Sequence, residues 1–332
     1  MIDLIIPTYN AIKTLDRCLE SIKNQTIIND VKVFIIDDNS TYDYREIVKK
    51  YSEFMDLRHY KLTENHGPGY ARQYGIDHSY DEYIVFIDSD DIFYDTISLA
   101  RLRDEIVNTG ADIVNSNFYK QKNNLTDYTS FINDYINVHG KIYRRRFLFE
   151  HNIRFPSLPG EEDNGFNHLL LMYNPYAVYI NQYTYYNLYN SSSITENNQG
   201  KYFEDYIYLY TEAFLYALEQ AIKDGCQKSN IGYWAADSLL VTYTRYVFLH
   251  LKIEGHKELK NTKRLIEIYE EYYQYLSDEK IKEVIDIELY KPYYKELLNN
   301  AISFKKFINL IKKDNLKELG YSITPVKKNK KS

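Results

Sequence analysis

An uninterrupted apolar run, Ile84-Val85-Phe86-Ile87, passes without a spacer into Asp88-Ser89-Asp90-Asp91. A run of this kind suits a strand buried on both faces, and carboxylates at its end deliver hard oxygen ligands to the rim of a sheet. Mg²⁺ or Mn²⁺ can bridge protein and phosphate at such a rim. The same four residues also suit a solvated turn or a helix cap. The tetrad alone leaves both readings open, and its neighbours decide between them.

Strand and helix patterns alternate from the start of the chain to about residue 118, which predicts a mainly parallel sheet with helices on its faces. Leu4-Ile5-Ile6, Val31 to Ile36, about Leu57 to Leu62, Ile84 to Ile87 and Asp112 to Asn115 read as strands. Leu15, Cys18, Leu19 and Ile22 recur at helical spacing, Ile47 to Tyr51 belongs to a second helix, and Gly67-Pro68-Gly69 precedes a third from Tyr70 to about Ser79. A further helix is expected from about Ile97 to Asn108. The stretch from Lys120 to Asn137 is polar and reads as an irregular loop over a site.

Beyond Gly200 the strand signals vanish. Tyr206, Leu209, Tyr210, Ala213, Phe214, Ala217, Leu218 and Ala221 share one helical face that stops at Asp224-Gly225. Later helices are expected at about 231 to 251, 260 to 276, 279 to 299 and 303 to 318. The expected organisation is therefore an α/β domain over residues 1–200 and an all-helical region over 201–332.

At 332 residues with 44% hydrophobic content the chain can bury a substantial core, and its net charge of −6 gives no general attraction to nucleic acid. Two cysteines exclude a disulfide framework or a cysteine zinc site and fit a reducing compartment. Met1-Ile2-Asp3 runs directly into a strand pattern, no apolar run nears the length of a membrane span, and a cytoplasmic location is expected. The 37 tyrosines would suit sugar stacking, but with Asn, Lys and Ile also abundant they are read as coding bias. Phe304, Phe307, Ile308 and Ile311 alternate with Lys305, Lys306, Lys312 and Lys313 near the C-terminus. A core-facing helix explains that pattern, and a peripheral contact with an anionic membrane stays open.

Four segments appear in order: Pro7-Thr8-Tyr9-Asn10, Asp37-Asp38-Asn39-Ser40, Asn65-His66-Gly67 with Ala71-Arg72-Gln73-Tyr74-Gly75, and the acidic tetrad. Each falls at the carboxyl end of an expected strand or at a helix start, where open sheets gather ligands. With Val138 to Arg144 and Gly160-Glu161-Glu162-Asp163-Asn164-Gly165-Phe166, the sequence resembles the family 2 glycosyltransferases over roughly Met1 to Thr195. These are inverting enzymes of the GT-A fold that use nucleotide-diphosphate sugars.

The resemblance implies a Rossmann-like, mainly parallel sheet and a set of roles. The backbone around Pro7, Thr8 and Tyr9, with Asp38, would hold the base of the nucleotide, usually uracil, while Asp37 supports the loop. Asn65, Gly67, Arg72, Asp88 and Ser89 would border the nucleotide or its phosphates, and Asp90 would hold Mn²⁺ or Mg²⁺ on the diphosphate. The acidic pair Glu162-Asp163 would supply the general base, with Asp163 the first choice and Glu161 a third carboxylate in reach. Gln73 stands where the family commonly has Asn, and His139 where many relatives have Trp; His139 is read as structural, with an approach to the metal as the alternative.

The function expected on these grounds is transfer of one sugar from a UDP-sugar to a hydroxyl acceptor, with inversion. The acceptor would be a polysaccharide, a teichoic-acid-type polymer, a glycolipid or a protein, and homo-oligomerisation stays open. A haloacid-dehalogenase-like phosphatase would also place an Asp-x-Asp after a strand, but leaves the Pro-Thr-Tyr-Asn and Asp-Asp-Asn-Ser segments unexplained. A sugar nucleotidyltransferase would need a Gly-rich loop after the first strand. A non-catalytic module that keeps the nucleotide site is the alternative outside enzymology.

Overall fold

The computed structural model describes residues 1–191, 201–247, 256–277, 304–315 and 318. The chain divides into two compact units, Met1–Glu196 and Asn197–Ser332.

The first unit is built on nine strands: β1 (Ile2–Thr8), β2 (Val31–Asp37), β3 (Asp56–Lys61), β4 (Tyr83–Phe86), β5 (Ile92–Phe93), β6 (Ile113–Gln121), β7 (Tyr128–Phe131), β8 (Lys141–Arg144) and β9 (Ala177–Asn187). They form one sheet in the order β3-β2-β1-β4-β8-β6-β9-β5, with β7 added to β6. β1 to β4 pair in parallel, as expected for the first half. β8 then enters antiparallel between β4 and β6, so the whole sheet is mixed. Every residue of β1 is buried, which is why its centre, Leu4-Ile5-Ile6, reads as an unbroken apolar run.

Helices α1 (Leu15–Lys23), α2 (Arg45–Ser52), α3 (Pro68–His78), α4 (Ser98–Thr109), α5 (Arg145–Glu150) and α6 (Glu162–Met172) flank the sheet. Leu4, Ile6, Val33, Ile35 and Val85 join Leu15, Cys18, Leu19 and Ile22 of α1 and Leu99, Leu102 and Ile106 of α4 in one core. Ile5 and Phe86 face the other way, Ile5 against α3 and Phe86 edge-on to Phe166 of α6. The period-two alternation along each strand thus supplies two cores from one sheet.

The stretch read as an irregular loop is half structured. β6 continues to Gln121 and turns back through Lys122 to Asp127 into β7, with Phe118 and Phe131 stacked at 4.6 Å. Polar residues at the turn hide the strand period, and cross-strand ring stacking restores it.

The second unit holds α7 (Lys201–Lys223), α8 (Lys228–Val247), α9 (His256–Tyr272) and α10 (Phe304–Lys312). α9 packs on the other three. Gly225 takes φ +73 just past α7, the left-handed stop anticipated at Asp224-Gly225. Phe307, Leu310 and Ile311 of α10 are buried, Phe307 beside Tyr243, while Lys305, Lys306, Lys312 and Lys313 are exposed. Phe307, Leu310 and Ile311 of this helix are thus packed in the unit's own core. The helix expected at about 279 to 299 and the basic residues after 326 lie outside the described residues. Among those described, no helix is long and apolar enough to cross a membrane.

A Cβ on Gly75 of α3 would lie 2.5 Å from Ile5 Cγ2. Gly75→Ala is expected to lower stability by about 1–3 kcal/mol through overpacking, although Ala is the better helix former by about 1 kcal/mol. Urea unfolding of the two proteins measures the difference.

Candidate active site

The carboxyl ends of β1, β2 and β4 are neighbours in the sheet, which brings three of the sequence segments to one edge. Asp38 N donates to Thr8 O at 2.8 Å, and Asn10, in the left-handed region at φ 50, accepts from Thr41 N at 2.9 Å through Oδ1. Asp37 is fully buried and accepts from Ser40 N at 2.7 Å, so it supports the loop as expected. The two oxygens of Asp38 accept from His66 N at 2.9 Å and Gly67 N at 2.7 Å, and Asn65 Nδ2 donates to Asp38 O at 3.1 Å. Asp38 thus sits on the N-terminus of α3, where the exposed amides and the helix dipole favour a negative charge. Each carboxylate oxygen keeps a further lone pair for a ligand. Pro7 and Thr8 are buried beneath the loop, whereas the Tyr9 ring is 53% exposed.

Arg72 lies one turn further along α3 and is 3% exposed. Its guanidinium is held by three carboxylates from two distant parts of the chain. Nη2 donates to Asp88 Oδ1 at 2.6 Å, and Nη1 donates to Glu162 Oε1 at 2.8 Å and to Asp163 Oδ1 at 3.0 Å. Gly69 permits this approach, since a Cβ there would lie 2.8 Å from Glu162 Cγ. Glu161, in the left-handed region at φ 61, caps α6 and accepts from the Asn164 side chain. Glu162 and Asp163 fill the first turn of α6 and point at Arg72.

The environment separates these acids. Burial would raise Asp88, but the charge of Arg72 and the His139 contact hold it well below the carboxylate range. Burial, then the charge of Asp163, push Glu162 up to about 7 against the opposing pull of Arg72.

The rest of the tetrad is tied to the end of β9. Asp91 is fully buried and accepts from Tyr185 OH at 2.6 Å, Leu188 N at 2.8 Å and Asn187 Nδ2 at 3.0 Å. Asp90 accepts from Asn190 Nδ2 at 2.8 Å, and its backbone carbonyl accepts from Arg17 Nη2 at 2.7 Å. Ser89 is nearly buried between them. Burial and the charge of Asp88 raise Asp90, and burial with the charges of Asp90 and Asp88 pushes Asp91 up to about 8.

His139 Nε2 lies 3.3 Å from Asp88 Oδ2 and 3.9 Å from Asp91 Oδ2, with its ring stacked on Tyr185 at 4.7 Å. Among the described residues Asp88, Asp91 and His139 offer donor atoms within 4.8 Å of one another. Asp90, the ligand expected from the sequence, lies beside this group with its carboxylate engaged by Asn190. Two carboxylates and an imidazole within that reach are oxygen and nitrogen donors of a kind that a divalent cation can take. The proximity of His139 was not legible as a spacing. It follows from the register of β4 with β8, in which Val85 faces Ile142 and which, extended past the strand end, sets His139 opposite Asp88. Gln73, the departure from the family pattern, is used structurally: it donates to Asp77 Oδ1 at 2.9 Å and accepts from Phe155 N at 3.0 Å.

Residues 3–161 match the family described as Glycosyl transferase family 2. Among curated proteins the chain is 26% identical over 260 residues to glycosyltransferase GlyA of Streptococcus pneumoniae serotype 4, covering 70% of this chain and 35% of that one. It is 32% identical over 92 residues to the GalNAc(5)-diNAcBac-PP-undecaprenol beta-1,3-glucosyltransferase of Campylobacter jejuni, covering 27% of this chain and 29% of that one. The chain thus spans about a third of the length of these relatives. Among solved structures, S. aureus TarS 1-349 in complex with UDP-GlcNAc superposes with a TM-score of 0.67 at 18% identity, covering 96% of this chain and 92% of that one. The fold is that of the GT-A glycosyltransferases. These matches support reading the chain as a family 2 glycosyltransferase.

Arg72→Met would leave Asp88, Glu162 and Asp163 without their shared counter-charge. The titration midpoint of Glu162, followed by carbon NMR of its carboxyl, should rise above about 7, because the guanidinium opposes the shift and its removal favours the protonated acid. Loss of one partner from a buried ion cluster is expected to cost about 3–5 kcal/mol of stability, measured by urea unfolding.

Proposed function

We propose that this protein transfers one sugar from a UDP-sugar to a hydroxyl acceptor, with inversion at the anomeric carbon. The observation that carries the reading is the meeting of Asp88, Glu162 and Asp163 on the single guanidinium of Arg72. A donor-side acid and a pair of acids suited to base catalysis then border one reaction centre. The match of residues 3–161 to glycosyltransferase family 2 supports sugar transfer, and the complex of TarS with UDP-GlcNAc supports a UDP-sugar as donor.

In this reading the loop of Pro7, Thr8 and Tyr9 and the carboxylate of Asp38 receive the base. Asp90, with Asp88 and Asp91 beside it, would hold Mn²⁺ or Mg²⁺, which supplies Lewis-acid neutralisation of the departing diphosphate. Asp163 takes the proton of the acceptor hydroxyl as that oxygen attacks C1 from the face opposite the leaving group. The new C1–O bond forms as the bond from C1 to the diphosphate breaks, and UDP departs. Arg72 and Val138 N, which donates to Asp163 Oδ2 at 3.3 Å, each hold one oxygen of the base. Glu162 stands next to Asp163 as the alternative base and shares its cation.

The acceptor class we favour is a polysaccharide, a teichoic-acid-type polymer, a glycolipid or a protein. The helical residues 201–332 would supply acceptor contacts or a self-association surface. A chain with only two cysteines, Cys18 and Cys226, fits a cytoplasmic setting.

UDP release from a panel of UDP-sugars with manganese present tests the donor. Asp163→Asn should leave UDP affinity nearly unchanged while transfer falls about 10²- to 10⁴-fold, and a fully active variant would move the base to Glu162. Asp90→Ala should abolish metal-dependent donor turnover. Metal-dependent UDP binding by calorimetry with no turnover of any donor would favour a binding module instead.

A further inference from the structure

Lys141 has a side chain with 0% exposure, in a region where a buried ammonium is costly unless paired. It lies on β8, two residues beyond His139, and has no part in the reading above. Its Nζ donates to the carbonyl of Asn137 and lies 3.7 Å from Asp134 Oδ1. Burial pulls its pKa down to about 8 against the opposing charges of Asp134 and Asp163.

The Asn137 carbonyl and the Val138 N–H are the two ends of one peptide unit. That unit is planar and trans, like every described peptide of the chain, so its C=O and N–H point in opposite directions. Lys141 holds the oxygen end, and the N–H end donates to Asp163 Oδ2. Ammonium, peptide and carboxylate therefore form one aligned series in which each hydrogen bond polarises the next.

The surrounding turn does not need Lys141 to keep its shape. Asp134 Oδ1 accepts from Ile136 N at 3.0 Å and Asn137 N at 2.7 Å, Asn115 Nδ2 donates to Asp134 O at 2.8 Å, and Asn167 Nδ2 donates to Ile136 O at 2.6 Å. These bonds fix residues 134–137 to β6 and α6. They leave the rotation of the 137–138 peptide plane to Lys141.

We propose that Lys141 is a positioning residue for the general base, acting through the 137–138 peptide to fix the rotation of the Asp163 carboxylate. The proposal rests on the assignment of Asp163 as base. Without the ammonium the peptide can tilt, its N–H leaves Asp163 Oδ2, and the carboxylate pivots about its remaining bond to Arg72.

The test is a double-mutant cycle on turnover, read as UDP release from the most active of UDP-GlcNAc, UDP-glucose and UDP-galactose with Mn²⁺ and water as acceptor. Lys141→Met should lower kcat about 10- to 100-fold, the size expected for misplacement of a reacting group. The affinity for UDP, measured by calorimetry, should stay within about two-fold, and in the Asp163→Asn background Lys141→Met should add no more than about two-fold. A residue that merely supported the fold would lower the rate equally in both backgrounds. Wild-type kcat in Lys141→Met, or an equal loss in the Asp163→Asn background, overturns the proposal. Full activity of Asp163→Asn removes Asp163 as base and the proposal with it, an outcome visible before Lys141 is touched. Should Lys141→Met not fold, replacing Val138 by its α-hydroxy analogue deletes the N–H and weakens the Asn137 carbonyl as an acceptor, so it interrupts the same series without touching the lysine. The same fall in kcat at unchanged UDP affinity is expected, and an unchanged kcat refutes the role of the peptide.

Discussion

A guanidinium that is 3% exposed cannot be left unpaired, and in this protein its partners come from two distant stretches of chain. Arg72 draws the end of β4 and the first turn of α6 onto α3, so the ion cluster is at once a structural joint and the centre of the proposed site. One positive charge facing three acids leaves a local negative excess. Burial favours the protonated forms of Asp88 and Glu162, and the charges beside them then separate their proton affinities: Arg72 and His139 hold Asp88 low, while the charge of Asp163 helps push Glu162 up to about 7. Acids whose environments drive them apart can take different roles in one reaction.

The joint is backed by a second set of buried contacts. Asp91 is clasped by Tyr185, Asn187 and the Leu188 amide, and His139 lies between Asp88, Asp91 and the Tyr185 ring. On the far side Lys141 faces Asp163 through one peptide. The antiparallel strand β8 carries Lys141, and the turn before it supplies His139. Its insertion between β4 and β6 is what sets cationic side chains against the acids of β4 and α6.

Much of the fold was legible. The alternating runs from Leu4 to Asn115 mark the strands and helices of that span apart from the two-residue β5, since backbone hydrogen bonding imposes its period on the side chains that must be buried. The Lys120 to Asn137 stretch misled because its turn residues are polar and the pairing that orders β7 lies across the strands. Within the site, Asp37 was legible as loop support because its partner Ser40 is three residues away, whereas Asp38 was read as the acid that holds the base, and its bonds to the His66 and Gly67 amides came only with the folded chain. Lys141 was not legible, and the approach of His139 to the metal acids stood only as an alternative, because their partners are selected by sheet order rather than by spacing.

By itself the sequence determined the alternating elements, the acidic strand end and the ordered motifs that mark a family 2 glycosyltransferase, because these are written in local period and residue chemistry. The tertiary structure alone decided which acids share Arg72, which residue stands opposite Asp88, and what the buried ammonium of Lys141 touches. The physical reason is that Arg72 and Asp163 are 91 positions apart and Asp88 and His139 are 51 apart. Contacts at that range follow from strand order and register, which no single segment encodes.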